Sequence, residues 1–325
     1  MAHTTANTSL LRRTELWSAE LKELLRDDLM AMGFVDVIGE FPDGDTFTIP
    51  SIGDAQVDDY AEDTAVQYRP LDQGEWQFQI TEYLSSGTYI TKKAEQDMFY
   101  MSQLVSSFVP KQRRAIMEHY ETEVFKQPNV ILGATPNDQY VINEARHKFS
   151  GGGTGGAIEV QDFAYAMYAL KKANVPQTNM VAIVDPEVEY QLNTLTNLVN
   201  VSDNPRWEGI IHDGIASGMR FVKNVYGFDV WTSNYLDNTV SDSALNDREA
   251  GTPIDWSTTN GTANLFFSAA GGDINPWKSA WRQEPEVDME WNKDYQRTEF
   301  VTTARYGVKL YRPENMVICV TPGAV

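Results

Sequence analysis

The most informative part of the sequence for the architecture is Tyr306-Gly307-Val308-Lys309-Leu310-Tyr311-Arg312-Pro313-Glu314-Asn315-Met316-Val317-Ile318. It alternates in the manner of a strand around Gly307, passes through an Arg-Pro-Glu turn and ends in an apolar run. A similar piece lies upstream, at Val225-Tyr226-Gly227-Phe228-Asp229-Val230-Trp231-Thr232-Ser233-Asn234-Tyr235-Leu236. Both pieces predict strands with glycine at a bend, and neither carries a catalytic motif, a metal cluster or a phosphate-binding loop.

Composition narrows the class of protein. The chain has 325 residues, 42% of them apolar, which is enough for a substantial core in one or two domains. No run approaches the ~18–20 apolar residues of a membrane span, so no membrane partner is expected, and the first thirty residues lack a signal-peptide core. The net charge of −20 argues against a protein that reads nucleic-acid sequence. The single cysteine, Cys319, lies in an apolar run and is predicted to be a buried, inert thiol.

The N-terminal segment predicts an arm. Apolar residues recur at helical spacing from Leu10 to Met32, with Gly33 as a plausible C-cap. A single helix with an apolar stripe must bury that stripe against another surface, and we expect a neighbouring subunit to provide it. The stripe residues expected at this interface are Trp17, Leu21 and Leu24, continued by Leu25, Leu29 and Met32.

A long hairpin follows the arm. The segment Thr46–Pro50 predicts a strand, Trp76–Ile80 predicts its return, and Tyr83–Thr91 extends that return strand. The connection has little apolar sequence and concentrates negative charge. It therefore predicts a projection that needs a partner surface, with an acidic tip at Asp58, Asp59, Glu62 and Asp63.

The longest helical pattern runs from Lys92 to about Gln127 and would be ~50 Å long if continuous. Pro110 interrupts the pattern, which predicts either a kink or a second helix beginning there. The densest basic cluster of the chain follows directly, at Lys111, Arg113 and Arg114.

The second half mixes helices and strands. The run Gly151–Gly156 predicts a flexible joint, because no Gly-Lys-Ser/Thr follows to make it a phosphate loop. A helix is predicted from Ile158 to Ala173, a buried strand at Met180–Val184, and a further helix capped by Asp185 with Pro186 at its first position. Residues 237–262 resemble a surface insertion. The sum is an α+β chain with mostly antiparallel strands.

One acidic pattern offers an alternative function. Four carboxylates alternate along a predicted strand and would share one face at roughly 7 Å spacing. Paired carboxylates hydrolyse glycosidic bonds or bind divalent cations, whereas a solvated strand face shows the same alternation by default. The solvated face is the favoured interpretation. The four residues are Glu284, Glu286, Asp288 and Glu290.

The order of these parts resembles the HK97-like capsid fold of tailed bacteriophages, and most of all the T7-like short-tailed group. The resemblance is carried by Met180–Asp185-Pro186, Val225–Leu236 and Ala304–Val320 and covers the chain from about Leu10 to Val320. It implies an N-arm at 1–45, an E-loop hairpin at 46–91, and a spine helix with part of the P-domain at 92–156. The A-domain would fill most of 157–270, and return strands of both domains 271–325.

The resemblance implies a major capsid protein, without enzymatic activity or cofactor, that assembles as hexamers and pentamers in the host cytoplasm and ends in the virion. It implies a separate scaffolding protein, a portal at one vertex and packaged double-stranded DNA contacted non-specifically at most, and leaves a cement protein open. The hairpin lacks lysine, so the lysine–asparagine cross-link of some family members is unavailable there. An encapsulin-type shell and a hydrolase using Glu284–Glu290 are the alternatives.

The resemblance also implies that the acidic tip of the hairpin and the basic cluster of the long helix contact each other between subunits. In this fold the E-loop lies over the P-domain of the adjacent subunit, close to the spine helix. We therefore expect the acidic tip of the hairpin to meet the basic cluster of another subunit, because a repeated charge network sets register where single pairs do not.

Overall fold

The computed structural model describes residues 29–39, 46–53, 57–59, 62–63, 65, 68, 70–71, 73–97, 101–132, 141–194, 224–242, 245–246, 248, 254–256, 258 and 260–322. The predicted arm contacts at Trp17, Leu21 and Leu24 lie outside these residues.

Fourteen strands and four α-helices are present in the described part of the chain, together with short 3-10 turns. The strands are β1 (Val35–Val37), β2 (Thr46–Ile52), β3 (Gln73–Gln79), β4 (Glu82–Thr91), β5 (Val141–Ile142), β6 (Ala145–Arg146), β7 (Lys148–Ser150), β8 (Met180–Val184), β9 (Asn224–Val225), β10 (Phe228–Thr232), β11 (Gly261–Ser268), β12 (Trp277–Asn292), β13 (Arg297–Leu310) and β14 (Val317–Pro322). The helices are α1 (Lys92–Asp97), α2 (Met101–Leu132), α3 (Val160–Lys172) and α4 (Pro186–Thr194). This mixture confirms the α+β class.

A six-stranded sheet in the order β7-β14-β11-β8-β10-β9 forms the centre of one half of the molecule. Its strand β8 is buried throughout because both faces of the sheet are covered. Ala182 and Val184 pack in the cluster formed with α3 and α4, whereas Val181 and Ile183 pack in the cluster formed with α2. The helix predicted after Asp185 is present, and the Asp185 carboxylate accepts a hydrogen bond from the backbone N–H of Glu187 at 3.0 Å.

A four-stranded sheet in the order β1-β12-β13-β4 forms the second half, and α2 packs across it. The contact is aromatic and polar: the Tyr120 hydroxyl donates to Ser279 Oγ at 3.0 Å, and Phe108 meets Phe300 edge-on. Burial raises the pKa of Tyr120 to about 12. The helix is therefore fixed to the sheet along most of its length.

The prediction that a second helix begins at Pro110 is wrong, whereas the alternative of a kink there stays a prediction. Helix α2 runs through both Pro110 and Pro128 for 32 residues, or about 48 Å. An internal proline costs about 3 kcal/mol in an isolated helix, and here the packing against β13 offsets that cost. Two residues beyond the proline, Gln112 accepts a hydrogen bond from the Thr302 hydroxyl at 2.9 Å and donates to the Phe300 carbonyl.

The arm is shorter than predicted. Leu29 and Met30 are not helical, Ala31–Gly33 forms a 3-10 turn, and β1 then pairs in parallel with β12. Ala31 is fully buried in the main core, so this stretch belongs to the folded body rather than to a free arm. The predicted helix to Met32 with Gly33 as its cap is therefore wrong at its C-terminal end.

Two further predictions need correction. Strand β4 does not extend the hairpin, because it pairs with β13 in the larger sheet, whereas β3 pairs with β2 alone. The Gly151–Gly156 run is a closely packed turn rather than a flexible joint. A Cβ at Gly151 would lie 2.3 Å from the carbonyl oxygen of Gly156, and Gly156 has a positive φ of 86° against Trp256.

The quoted C-terminal stretch behaves as predicted. It forms β13, a turn at Pro313–Asn315 and the buried strand β14. Cys319 in β14 is fully buried, and burial raises the pKa of its thiol well above the usual value. Both observations fit an inert thiol. Because β14 joins β7 and β11 in one sheet, that sheet extends across the predicted domain limits at 156 and 270, which stay predictions.

Candidate assembly surfaces

The base of the β2–β3 hairpin is firmly held. Trp76 donates its indole N–H to the Leu310 carbonyl at 3.3 Å and packs edge-on against Tyr311. Lys309 donates to the Gln77 carbonyl at 2.7 Å. The backbone of β13 at Gly307 approaches the backbone at the end of β3 closely. A Cβ at Gly307 would lie 2.7 Å from the carbonyl oxygen of Gln79. The hairpin therefore leaves the body in a defined direction.

In the outer half of the hairpin, the residues that the structure describes are all exposed. Ile52 is 73% exposed, Val57 96% and Tyr68 94%, which is unusual for apolar side chains close together in sequence. The four predicted acidic contacts, Asp58, Asp59, Glu62 and Asp63, are all exposed in this same region. These acidic side chains are therefore accessible, and their role as a contact between subunits stays a prediction.

The basic cluster on α2 is divided between two environments. Lys111 and Arg113 are exposed, whereas Arg114 is half-buried and its Nε lies 3.0 Å from a carboxylate oxygen of Glu118. The hydrogen bond to Glu118 raises the pKa of Arg114, with Tyr235 adding to the effect. Arg114 is thus engaged within the chain. The structure is a single chain, so the contact of these residues with the hairpin tip of another subunit stays a prediction.

A mostly apolar groove of about 590 Å³ lies beside α2. Its floor is one stripe of the helix, Pro110, Arg113, Arg114 and Met117, which are spaced by three and four residues. It is also lined by Leu29, Met32 and Val37, which lie before or in β1, and by Trp281, Glu284 and Pro285 of β12. We call this the spine groove. The sequence analysis did not identify this groove, because its walls depend on long-range packing that no local pattern shows.

Glu121 lies four residues beyond Met117 on α2 and was not identified as important from the sequence. Its side chain is almost fully buried, at 1% exposure. Its carboxylate accepts hydrogen bonds from the backbone N–H of Met30 at 2.9 and 3.1 Å and from that of Ala31 at 2.9 Å. A buried carboxylate needs such donors, and here they fix the point at which the arm enters the body.

The alternating carboxylates of β12 form a solvated face, as the favoured interpretation predicted. Glu284, Glu286, Asp288 and Glu290 are all exposed. Within the residues that the structure describes, no group of three or more histidine, cysteine or acidic side chains is placed to hold a metal ion. Nor is any described helix long and apolar enough to cross a membrane.

A buried ion cluster ties the predicted surface insertion to the glycine-rich turn. Arg248 donates to the fully buried Asp162 at 2.6 Å and to Glu159 at 3.0 Å, and it lies over Gly152. Burial raises the pKa of Asp162, against the opposing effect of its hydrogen bonds to backbone N–H groups and Arg248. The cluster serves the fold, because each charge has a partner inside the chain.

No protein-family model and no curated protein sequence matches the chain. Solved structures do. The capsid of cyanophage P-SCSP1u is 17% identical with a TM-score of 0.71, covering 99% of this chain and 96% of that chain. A structure from Mycobacterium phage Che8 is 15% identical with a TM-score of 0.67, covering 94% and 96%. The capsid of a native GTA particle is 9% identical with a TM-score of 0.64, covering 99% of each chain.

These similarities extend over almost the whole chain. At such low identity they establish the fold. The chain has the HK97-like fold of phage capsid proteins.

Proposed function

We propose that this chain is a major capsid protein that assembles into the icosahedral shell around a double-stranded DNA phage genome, and that it is closest to the T7-like short-tailed group. The observation that carries the proposal is the HK97-like fold over nearly the full length, together with a hairpin that exposes Ile52, Val57 and Tyr68. Apolar side chains on a projection without a core call for a partner surface. A second copy of the chain provides that surface in hexamers and pentamers.

Charge supports the same function. A net charge of −20 gives a shell wall that repels DNA and leaves the packaged genome free to move in and out. The proposal includes assembly in the host cytoplasm on a separate scaffolding protein, a portal at one vertex, and residence in the virion capsid. It assigns the chain no enzymatic activity.

Within the shell, we assign the acidic tip to the basic cluster of a neighbouring subunit. Asp58, Asp59, Glu62 and Asp63 would face Lys111 and Arg113, since Arg114 is engaged with Glu118. One exposed pair contributes only about 0–1 kcal/mol, but the contact recurs in every subunit.

Electron microscopy of the purified protein, expressed alone and with the scaffolding protein of its phage, tests the proposal. Closed shells or hexamer sheets are expected. A discrete small oligomer would contradict it, above all if a hydrolytic activity were found that Glu286→Gln abolishes. Of the two shell functions, the encapsulin alternative predicts closed shells that carry a packaged protein and never DNA.

A further inference from the structure

We infer that the edge of strand β4 joins two copies of this chain. In this pair, β4 lies antiparallel to the β4 of a second copy, around a two-fold axis that passes through Gly87. The inference concerns a contact between two copies that involves neither the hairpin tip nor the basic cluster, and the proposed function stands if it fails.

Strand β4 carries none of the usual protections of an edge strand. Within the residues that the structure describes, it bonds to β13 alone, in ten successive residue pairs from Glu82 to Thr91 without a register shift. Residues 83–91 contain no charged residue and no proline. Natural edge strands prevent pairing with charges, prolines or bulges. A regular, uncharged edge of nine residues, about 30 Å long, is therefore a template for another strand.

The opposite edge of the same sheet is protected. Strand β1 pairs with only the first three residues of β12, Trp277–Ser279. Beyond them, β12 has two register shifts between Trp281 and Glu286, and Pro285 lies within the second. Exposed carboxylates follow from Glu286 onward. Since one edge carries these protections and the other does not, the regular edge of β4 is a specific property of that strand.

The sequence of β4 matches itself when the strand is turned end for end. Two antiparallel strands related by a two-fold axis keep the same faces of the sheet on the same side, so the axis passes through a residue and not between two. An axis at Gly87 places Leu84 opposite Ile90 of the partner subunit. It also places Ser86 opposite Thr88 of the partner subunit. Aliphatic side chains then face aliphatic ones, and hydroxyls face hydroxyls.

The other register of equal length is less favourable. An axis at Ser86 also pairs nine residues, but it places the Glu82 carboxylate opposite Ile90 of the partner subunit. A carboxylate that loses water beside an aliphatic side chain costs free energy. With the axis at Gly87, Glu82 lies beyond the paired residues, and the two glycines that face each other present no side chain at the axis.

Two exposed tyrosines fit the same register. Tyr83 and Tyr89 are 70% and 57% exposed in the single chain and lie on the same face of β4. With the axis at Gly87, Tyr89 lies opposite Ser85 of the partner subunit, and Tyr83 lies opposite Thr91 of the partner subunit. Directly opposite residues of an antiparallel pair have Cβ atoms about 4.5–5.5 Å apart, within contact distance of a tyrosine ring. The second copy therefore covers part of both rings.

Cysteine cross-linking of concentrated, unassembled protein tests the inference. Gly87→Cys is treated with a short bismaleimide, and covalent dimers are followed by denaturing electrophoresis. The matched control is Ser85→Cys on the same exposed face, whose two copies would lie about 14 Å apart along the strands. A side chain fits at Gly87, because the nearest atom to its Cβ would be 3.9 Å away. The native Cys319 is fully buried and does not compete.

Dimers should form at least tenfold faster with Gly87→Cys than with Ser85→Cys. A second comparison leaves the glycine in place. A mixture of Ser85→Cys protein with Tyr89→Cys protein should cross-link at least tenfold faster than either protein alone, and it decides the matter if Gly87→Cys does not fold. Equal rates for the mixture and the separate proteins, or no dimers, would overturn the inference. Electron microscopy of the unsubstituted protein scores shells separately, so failure of the pairing and failure of the proposed function are distinguished.

Discussion

The carboxylate of Glu121, in the middle of the long helix, accepts a hydrogen bond from the backbone N–H of Ala31 at 2.9 Å, although the two residues are 90 positions apart. Replacing Glu121 by Gln keeps the shape but turns an amide N–H₂ toward backbone donors. We expect the free energy of unfolding to fall by about 1–3 kcal/mol, measured by urea denaturation. The matched control is Glu123→Gln on the same helix. Glu123 accepts a bond from Gln127, and its replacement should change stability by at most about 0.5 kcal/mol.

Truncation should locate the boundary between arm and body. Deleting residues 1–28 leaves Met30, Ala31 and β1 in place, so circular dichroism and the melting temperature should show a folded protein that closes shells poorly. Deleting residues 1–32 also removes the donors to Glu121 and the fully buried Ala31, and should lower the melting temperature clearly. Equal melting temperatures for the two deletions would contradict the boundary at residue 28.

The crossing of the hairpin over β13 should not tolerate a side chain at its centre. A Cβ at Gly307 would lie 2.7 Å from a backbone carbonyl oxygen and 3.0 Å from the Cα of Ile80, so Gly307→Ala should cost about 1–3 kcal/mol of unfolding free energy. The control is Gly87→Ala on the adjacent strand β4, where the nearest atom is 3.9 Å away. Urea denaturation of both variants checks the difference, and similar losses would argue against the close approach.

Charge reversal should test the contact between hairpin tip and basic cluster. Lys111→Glu with Arg113→Glu should impair assembly, followed by light scattering, because like charges would then face each other across subunits. Adding Asp58→Lys with Asp59→Lys in the same chain should restore part of it. The contact would be excluded if the protein with only the helix charges reversed and the protein with only the hairpin charges reversed both assembled normally at low and moderate salt.

Stability should fall in mildly acid solution because of His147. Its Nδ1 lies 2.8 Å from the Met316 carbonyl oxygen, and burial lowers its pKa below the ordinary 6.5, against the raising effects of that bond and of Glu314. The unfolded state then binds more protons than the folded state, so the contribution is fully present above pH 6.5 and is lost as pH falls through the folded pKa. His147→Gln should flatten the pH dependence of unfolding free energy between pH 7 and the folded pKa. An unchanged slope would exclude His147 as its source.

Local patterns account for the parts of the fold that sequence predicted. The cap at Asp185, the buried strand β8 and the helix α3 follow from side-chain periodicity and capping within a few residues. The passage of α2 through Pro110 does not, because the compensating contacts come from Thr302 and Phe300, almost 200 positions away. Local helix propensity alone predicts that the helix is interrupted at Pro110.

The candidate surfaces also include features that the local sequence predicts and features that depend on long-range packing. The acidic tip and the basic cluster were predictable because charge density is a property of short segments. The spine groove and the role of Glu121 were not, since both appear only when residues 29–37 lie beside α2. The ion cluster at Arg248 was missed for the same reason, as its partners Asp162 and Glu159 are more than 80 positions away.

The position of β14 inside the six-stranded sheet has a consequence for synthesis. This strand lies between β7 and β11 and bonds to both, yet it is made almost 170 residues after β7. A chain still on the ribosome therefore carries a split sheet until residue 322 has left the exit tunnel. Strands β7 and β11 are joined only through β14, so this sheet closes late in synthesis.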